Sequence, residues 1–142
     1  MSYIIKTGLT AMDQPTVVAL LQGTYWAGTR PAETIVASLQ RSDCYGAFDA
    51  GTGEQVGFAR VVTDRTTFFW LADVVVDPRY RGQGIGKLLM QAVAGQAGYV
   101  DMRGMLKTRD AHGLYERMGF IRLDEKTMEK PAGVPLPEPE TS

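Results

Sequence analysis

The stretch that most constrains this chain is Val74-Val75-Val76-Asp77-Pro78-Arg79-Tyr80-Arg81-Gly82-Gln83-Gly84-Ile85-Gly86-Lys87-Leu88-Leu89. A β-prone apolar run, Phe68 to Val76, ends at Pro78 and gives way to glycines at the alternate positions 82, 84 and 86. Leu88, Leu89, Val93 and Ala94 then share one helical face. The pattern predicts a strand, a glycine-rich turn and a helix. Glycine has no Cβ, so such a turn lets a ligand approach the backbone closely. It also presents N–H groups at the positive end of a helix, which suits a phosphate or pyrophosphate. Arg81 and Lys87 add cationic charge. The simpler alternative, a surface turn that merely uses glycine, leaves the conjunction of strand, Arg81, glycines and amphipathic helix to chance.

Two better-known phosphate loops do not fit. The dinucleotide fingerprint G-x-G-x-x-G, started at Gly82, requires glycine where the chain has Lys87. The pattern G-x-x-x-x-G-K-[ST] finds Gly86-Lys87, but Arg81 stands at its first glycine and Leu88 at its Ser/Thr.

The segments around this stretch read as further strands and helices. Tyr3 to Thr7 is a short first strand. Asp13 caps a helix with Val17, Val18, Leu20 and Leu21 at helical spacing, ended by Gly23. Pro31 takes the first position of a second helix, whose inner face is Ile35, Val36 and Leu39. Residues 43–49 and Gln55 to Thr63 flank Gly51-Thr52-Gly53 as a hairpin, and Asp64-Arg65 turns the chain into the central strand Phe68 to Val76. The helix after the glycine turn runs from Gly86 to about Ala97. A strand over Asp101 to Thr108, a helix over Asp110 to Met118 stopped by Gly119, and a last strand over Phe120 to Met128 complete the order. This predicts an α/β fold with a mixed, mostly antiparallel central sheet and helices on both faces. Residues 1–130 form the domain. Four of the seven prolines fall within 131–142, together with Glu138 and Glu140, so a Pro/Glu-rich disordered tail is expected there.

Length and charge narrow the function classes. The chain has 142 residues, enough for one packed core, and its 44% apolar and 22% charged residues are those of a globular domain. Fifteen basic against sixteen acidic residues leave a net charge of −1, which does not favour a nucleic-acid partner. No apolar run approaches the roughly 20 residues that cross a bilayer, and the start, Met1 to Lys6, lacks a secretory pattern. A cytoplasmic protein with no membrane association is expected. Cys44 is the only cysteine and His112 the only histidine, so no internal disulfide forms and no metal site of the Cys/His type is expected.

At this point two motifs resemble one family. Arg81-x-x-Gly84-x-Gly86 is similar to the Q/R-x-x-G-x-G/A motif of the GNAT superfamily of acyl-CoA-dependent N-acetyltransferases. Downstream, Ala111-His112-Gly113-Leu114-Tyr115-Glu116-Arg117-Met118-Gly119-Phe120 resembles the family's A-x-x-x-Y-E-K-x-G-F segment. The likeness spans about residues 3 to 130. It implies a GNAT-like fold and acetyl-CoA as co-substrate. The pyrophosphate would lie on the backbone of Gly82, Gln83, Gly84, Ile85, Gly86 and Lys87, beside Arg81. Pantetheine would pair with the strand edge near Val74, Val75 and Val76, as strand addition to an open edge permits. Where the family often has Asn, seven residues before the Tyr, this chain has Thr108, whose hydroxyl brings fewer hydrogen-bonding groups to the cofactor arm. The family's habits, with the exposed edges of an open sheet, imply a homodimer.

The same resemblance distributes roles. Tyr115 is the candidate general acid: a phenol near pKa 10 can protonate a departing thiolate near 8.5. A backbone N–H of Val74 or Val75 would stabilise the oxyanion. The base stays open among Asp73, Glu33 and water. Asp73 reads equally as a structural hydrogen-bond acceptor. Tyr25, Trp26 and Arg30, in the link between the first two helices, would wall the acceptor pocket, with some of Phe68, Phe69 and Trp70 facing it. His112 reads as a capping or surface residue that shares a helix face with Tyr115. Two functions compete: an N-acetyltransferase acting on a primary amine of a small molecule or peptide, and a non-catalytic acyl-CoA-binding sensor of the same fold. A tyrosine acid favours the first.

Overall fold

Short turns impose antiparallel neighbours, and the chain uses this twice, from β2 to β3 and from β3 to β4, before it needs a helical crossover. The computed structural model describes residues 2–96, 98–123 and 127–136. Strands β1 (Tyr3–Thr7), β2 (Asp43–Asp49), β3 (Gln55–Thr63), β4 (Phe68–Val76) and β5 (Arg103–Leu106) form one sheet in the order β1-β2-β3-β4-β5. The first three pairings are antiparallel and β4–β5 is parallel. Helices α1 (Gln14–Gln22) and α2 (Ala32–Leu39) precede β2; α3 (Ile85–Ala94) makes the crossover to β5; α4 (His112–Glu116) follows it. This is the mixed, mostly antiparallel sheet the sequence predicts.

The sheet carries a core on each face. On one, Ile85, Leu89, Met90 and Val93 of α3 and Tyr115 of α4 bury against Tyr45, Ala47, Val61 and Leu71. On the other, Val17 and Leu21 of α1 and Ile35 and Leu39 of α2 bury against Phe48, Phe58 and Val75. The expected caps are present in outline. Asp13 accepts a hydrogen bond from the Thr16 N–H at 3.2 Å. Pro31 stands one position earlier than expected, at the N-cap of α2. Cys44 lies in the second core, with Sγ 3.5 Å from the Leu39 carbonyl oxygen; burial pushes its thiol pKa up to about 11.

One irregularity organises everything that follows. Val61, Val62 and Thr63 of β3 stand opposite Leu71, Trp70 and Phe69, but Arg60 stands opposite Asp73. Ala72 is therefore an extra residue in β4, a β-bulge. Because side chains alternate between sheet faces, one extra residue exchanges the faces for all that come after. Phe69 and Leu71 belong to the α3 core, whereas Val75 belongs to the α1–α2 core. Val74 and Val76 turn toward α3.

The predicted last strand is a correction. Residues 120–123 and 127–128 form no strand, and 124–126 lie outside the described residues. Gly119, at φ +95°, turns the chain back over α4, and the Phe120 N–H donates to the Tyr115 carbonyl at 3.1 Å. Phe120 then packs edge-on against Phe69 and Tyr115. Ile121, Leu123 and Met128 stay exposed. Alternation measures only compatibility with a strand; without a ladder partner the segment stays irregular. The helix from 110 to 118 is shorter than predicted, and α3 ends at Ala94 because Gly95 caps it. Residues 131–136 are exposed, and 137–142 lie outside the described residues. No described helix is long and apolar enough to cross a membrane.

Candidate active site

The two halves of β4 have different surroundings. Phe68 to Leu71 pair with β3 on one side and with Arg103 to Leu106 of β5 on the other. Beyond Leu71 the β5 pairing stops, while Asp73 to Val76 keep their β3 partners. Among the described residues, the β5-side edge of this half has no ladder partner. Backbone polar groups on such an edge seek hydrogen bonds, which an extended amide-bearing ligand can supply. Val74, Val75 and Val76 lie on it. The side chain of Val75 is committed to the core, so the edge offers backbone rather than side chain there.

The edge runs into the glycine turn. Asp77 accepts from the Arg79 N–H at 2.9 Å and pairs with the Arg79 guanidinium at 2.8 Å, fixing the tight turn Pro78–Tyr80. Gly82 and Gly84 both have φ +80°, a backbone state that L-residues avoid. Gly84 is the N-cap of α3, and no side chain caps that helix. A Cβ at either glycine would meet nothing within 4 Å. A phosphate group fits this cradle: open space, uncapped N–H groups and a helix start. Ile85 anchors the turn by burying its side chain, while Arg81, Gln83 and Lys87 remain exposed. The Tyr3 hydroxyl donates to the Gln83 side-chain oxygen. Arg79 is tied to Asp77 and Glu54, whereas no described carboxylate pairs with Arg81 or Lys87. A groove of about 470 Å³ lies between α1 and this turn, bordered by Leu20, Thr24, Val75, Arg79 and Arg81.

Tyr115, on α4, is buried in the α3-side core. Burial raises its pKa, and the negative charge of Asp110 and the nearby Tyr25 raise it further, so the phenol stays protonated. The Thr108 hydroxyl accepts from the Ala111 N–H at 3.0 Å and thereby organises the start of α4. His112 is half-buried at the first position of α4.

Across from α4, Asp73 is held by three side chains. Trp26 Nε1 donates to one carboxylate oxygen at 2.8 Å; Arg30 Nη1 at 3.1 Å and Arg60 Nε at 2.8 Å donate to the other. Its side chain is 0% exposed. Burial alone would raise its pKa, but Arg60, Arg30 and the Trp26 hydrogen bond overcome that and hold it below the usual carboxylate range. Tyr25 meets the Trp26 ring edge-on at 5.0 Å, and the Arg109 guanidinium carbon lies 3.7 Å from the centre of the Tyr25 ring. The structure thus joins Tyr25, Trp26, Arg30 and Asp73 into one wall. Glu33 lies exposed in the first turn of α2 and touches none of these groups. Phe69 packs on Tyr99 in the core.

Sequence reasoning missed Arg60, Arg109 and Asp110. Arg60 is hidden by the bulge, since a regular hairpin would set it opposite Ala72. Arg109 and Asp110 sit between two recognisable elements, in a loop with no periodicity to read.

Comparison with known proteins agrees with this geometry. The family model of the acetyltransferase (GNAT) domain matches residues 40–122. A solved structure from Xanthomonas campestris pv. campestris, assigned to the GNAT acetyltransferases, superposes with a TM-score of 0.86 at 35% identity, covering 93% of this chain and 94% of its own. A GNAT-family acetyltransferase from Streptococcus pneumoniae gives 0.73 at 28% identity, covering 93% and 99%. A Gibberella zeae protein that carries an acetyltransferase name is 31% identical over 107 residues, 63% of this chain and 60% of its own. An Arabidopsis thaliana GCN5-related N-acetyltransferase is 28% identical over 123 residues, 81% of this chain and 46% of its own. The matched part thus spans about half the length of these two relatives.

Proposed function

Since the chain belongs to the GNAT family of acetyltransferases, we propose that it transfers the acetyl group of acetyl-CoA to a primary amine, with Tyr115 donating the proton to the departing thiol. The observation that carries this reading is the half-bare strand β4, which ends in the uncapped glycine turn and shares its α3-side core with a buried, protonated Tyr115. Acetyl-CoA, when bound, supplies an activated thioester. The backbone of Gly82 to Lys87 holds its pyrophosphate, and the Val74–Val76 edge holds its pantetheine amides. An N–H of Val74 or Val75 donates to the acyl oxygen as negative charge gathers there.

Asp73 is the natural first candidate for a base, but its surroundings support a different task. Its two oxygens already accept from three donors, and its pKa is held low. It orients Trp26 and Arg30 and so shapes the acceptor wall. Asp110 is exposed, its charge acts on Tyr115, and no described donor occupies it, which leaves Asp110 and solvent to take the proton from the amine. The exposed sheet edges support a homodimer, checked by light scattering; a mass near 15.6 kDa across micromolar concentrations would rule the dimer out.

Steady-state kinetics on Tyr115→Phe test the function. The ring and its packing are kept and the acidic proton is removed. Turnover falls by roughly 10²–10⁴, while acetyl-CoA affinity measured by calorimetry stays near wild type. Wild-type turnover in the variant would remove the general acid. A wild-type protein that binds acetyl-CoA and releases no free thiol with any amine would favour the non-catalytic sensor.

A further inference from the structure

We infer that the acceptor amine carries an oxyanion, a carboxylate or phosphate, and that Arg109 is the residue that recognises it. The inference rests on the acetyltransferase reading above and extends it to the class of acceptor. It begins with how Arg109 is held. Its guanidinium carbon lies 3.7 Å from the centre of the Tyr25 ring. A carbon that close leaves room only for a flat, stacked guanidinium. Stacking uses the face of the group, whereas its five N–H bonds lie in its plane. The stack therefore fixes the orientation of the fork and leaves its edge available. No described carboxylate lies within ion-pair distance of Arg109, although Asp110 is its neighbour in the chain.

The platform beneath it is itself anchored. Tyr25 leans on Trp26, and Trp26 donates to Asp73. Asp73 is fixed in turn by Arg60 and Arg30. A continuous chain of contacts thus runs from the β4 bulge to the loop that precedes α4. Pre-setting a guanidinium in this way lowers the ordering entropy that a flexible arginine would lose on binding.

The position relates the fork to the chemistry. Tyr25, which carries Arg109, is joined through Trp26 to Asp73 and Arg30. The fork therefore stands at the proposed acceptor wall. The charge of that wall selects among amines. Arg30, Arg60 and Arg109 outnumber Asp73 and Asp110, and the one buried carboxylate is already neutralised by two arginines. A polyamine would bring further cationic charge to a cationic wall. An amine bearing a carboxylate or phosphate would meet a planar donor pair that matches its oxygens in a bidentate fashion.

The test uses the full chain with acetyl-CoA and reads free thiol release. The probes are matched sets: L-phenylalanine, L-phenylalaninamide and phenethylamine; glycine and glycinamide; phosphoethanolamine and ethanolamine; and spermidine as the cationic member. The expected result is a kcat/KM for an anionic member roughly ten- to hundredfold above that of its neutral partner. The amino-acid and phosphoethanolamine arms distinguish carboxylate from phosphate. In Arg109→Gln that ratio collapses toward one, chiefly through KM. Arg109→Lys, which keeps the charge and loses the planar fork, gives an intermediate ratio. Arg109→Glu reverses the order in favour of spermidine.

Equal or better turnover of the neutral or cationic members by the wild type would overturn the inference. So would an Arg109→Gln effect confined to the KM of acetyl-CoA, which would put the guanidinium on the donor side. Absence of turnover with every anionic member, in protein that binds acetyl-CoA and turns over other amines, would also overturn it; absence of turnover with any amine would favour the non-catalytic sensor and remove the underlying reading. A wild type that does not bind acetyl-CoA would likewise remove the underlying reading, and this inference with it.

Discussion

The two halves of β4, Phe68-Phe69-Trp70-Leu71 and Asp73-Val74-Val75-Val76, share a strand and a neighbour in β3, yet they serve opposite ends. Phe68 to Leu71 are enclosed by strands on both sides, and Phe69 sits so tightly that its ring covers the backbone of Gly104. Among the described residues, Asp73 to Val76 are enclosed on one side only. The first half is a piece of core; the second is a piece of core with one row of backbone groups left to the outside. Ala72 marks the boundary. The extra residue ends the regular register with β3 close to where β5 departs, and it sends Asp73 to the face where Trp26, Arg30 and Arg60 wait. A binding edge can be made from an ordinary strand by inserting one residue and withdrawing one neighbour.

Three substitutions probe that difference. The largest effect is expected beyond the bare half, at Gly84. Gly84→Val forces a β-branched residue into φ +80° and sets a side chain in the open space above the turn, so acetyl-CoA binding is lost from calorimetry. The fold survives at a cost of about 1–3 kcal/mol. Unchanged affinity in a folded variant would separate the glycine turn from the cofactor.

At the boundary, Asp73→Ala leaves Arg60 and Arg30 without their shared anion. A loss of about 3–5 kcal/mol is expected in chemical denaturation. The same carboxylate predicts a pH dependence. Its folded pKa lies below the unfolded value of about 3.9, so its stabilisation is complete above that value and is lost as the pH falls through the folded one. Acid denaturation of the wild type should therefore be steeper below pH ~4 than that of the variant.

In the enclosed half, Gly104→Ala puts a Cβ 2.0 Å from Phe69 Cζ. The ring must move, against Tyr99 and Phe120, at about 1–3 kcal/mol. Near-wild-type stability would mean that β5 slides freely along β4 and that the opening beyond Leu71 has no fixed width.

These halves also differ in how well they could be read from the amino acids. The glycine turn, the helix after it and the tyrosine motif were legible because each depends on local chemistry: absence of Cβ, periodicity, a short signature. Tyr25, Trp26, Arg30 and Asp73 were singled out from the sequence and stand together in the structure, but the bonds that join them were not legible. The partner that decides the role of Asp73 is Arg60, and that pairing depends on a bulge that leaves no mark in composition. The strand expected over Phe120 to Met128 failed for the complementary reason. Alternation was present, but a strand is a property of two segments, and no described segment lies beside this one. Arg109 was invisible because its contact is with a ring 84 residues earlier in the chain.

The buried thiol of Cys44 has a practical consequence for studying the reaction. At a pKa of about 11 and in the α1–α2 core, it is almost wholly protonated near neutrality and shielded from reagents. It is also the only cysteine of the chain. A chromogenic disulfide added to a working assay would therefore titrate released coenzyme A and leave the folded protein unmarked. Any signal from the protein itself would report unfolding, which makes the background of the assay a running measure of the integrity of the sample.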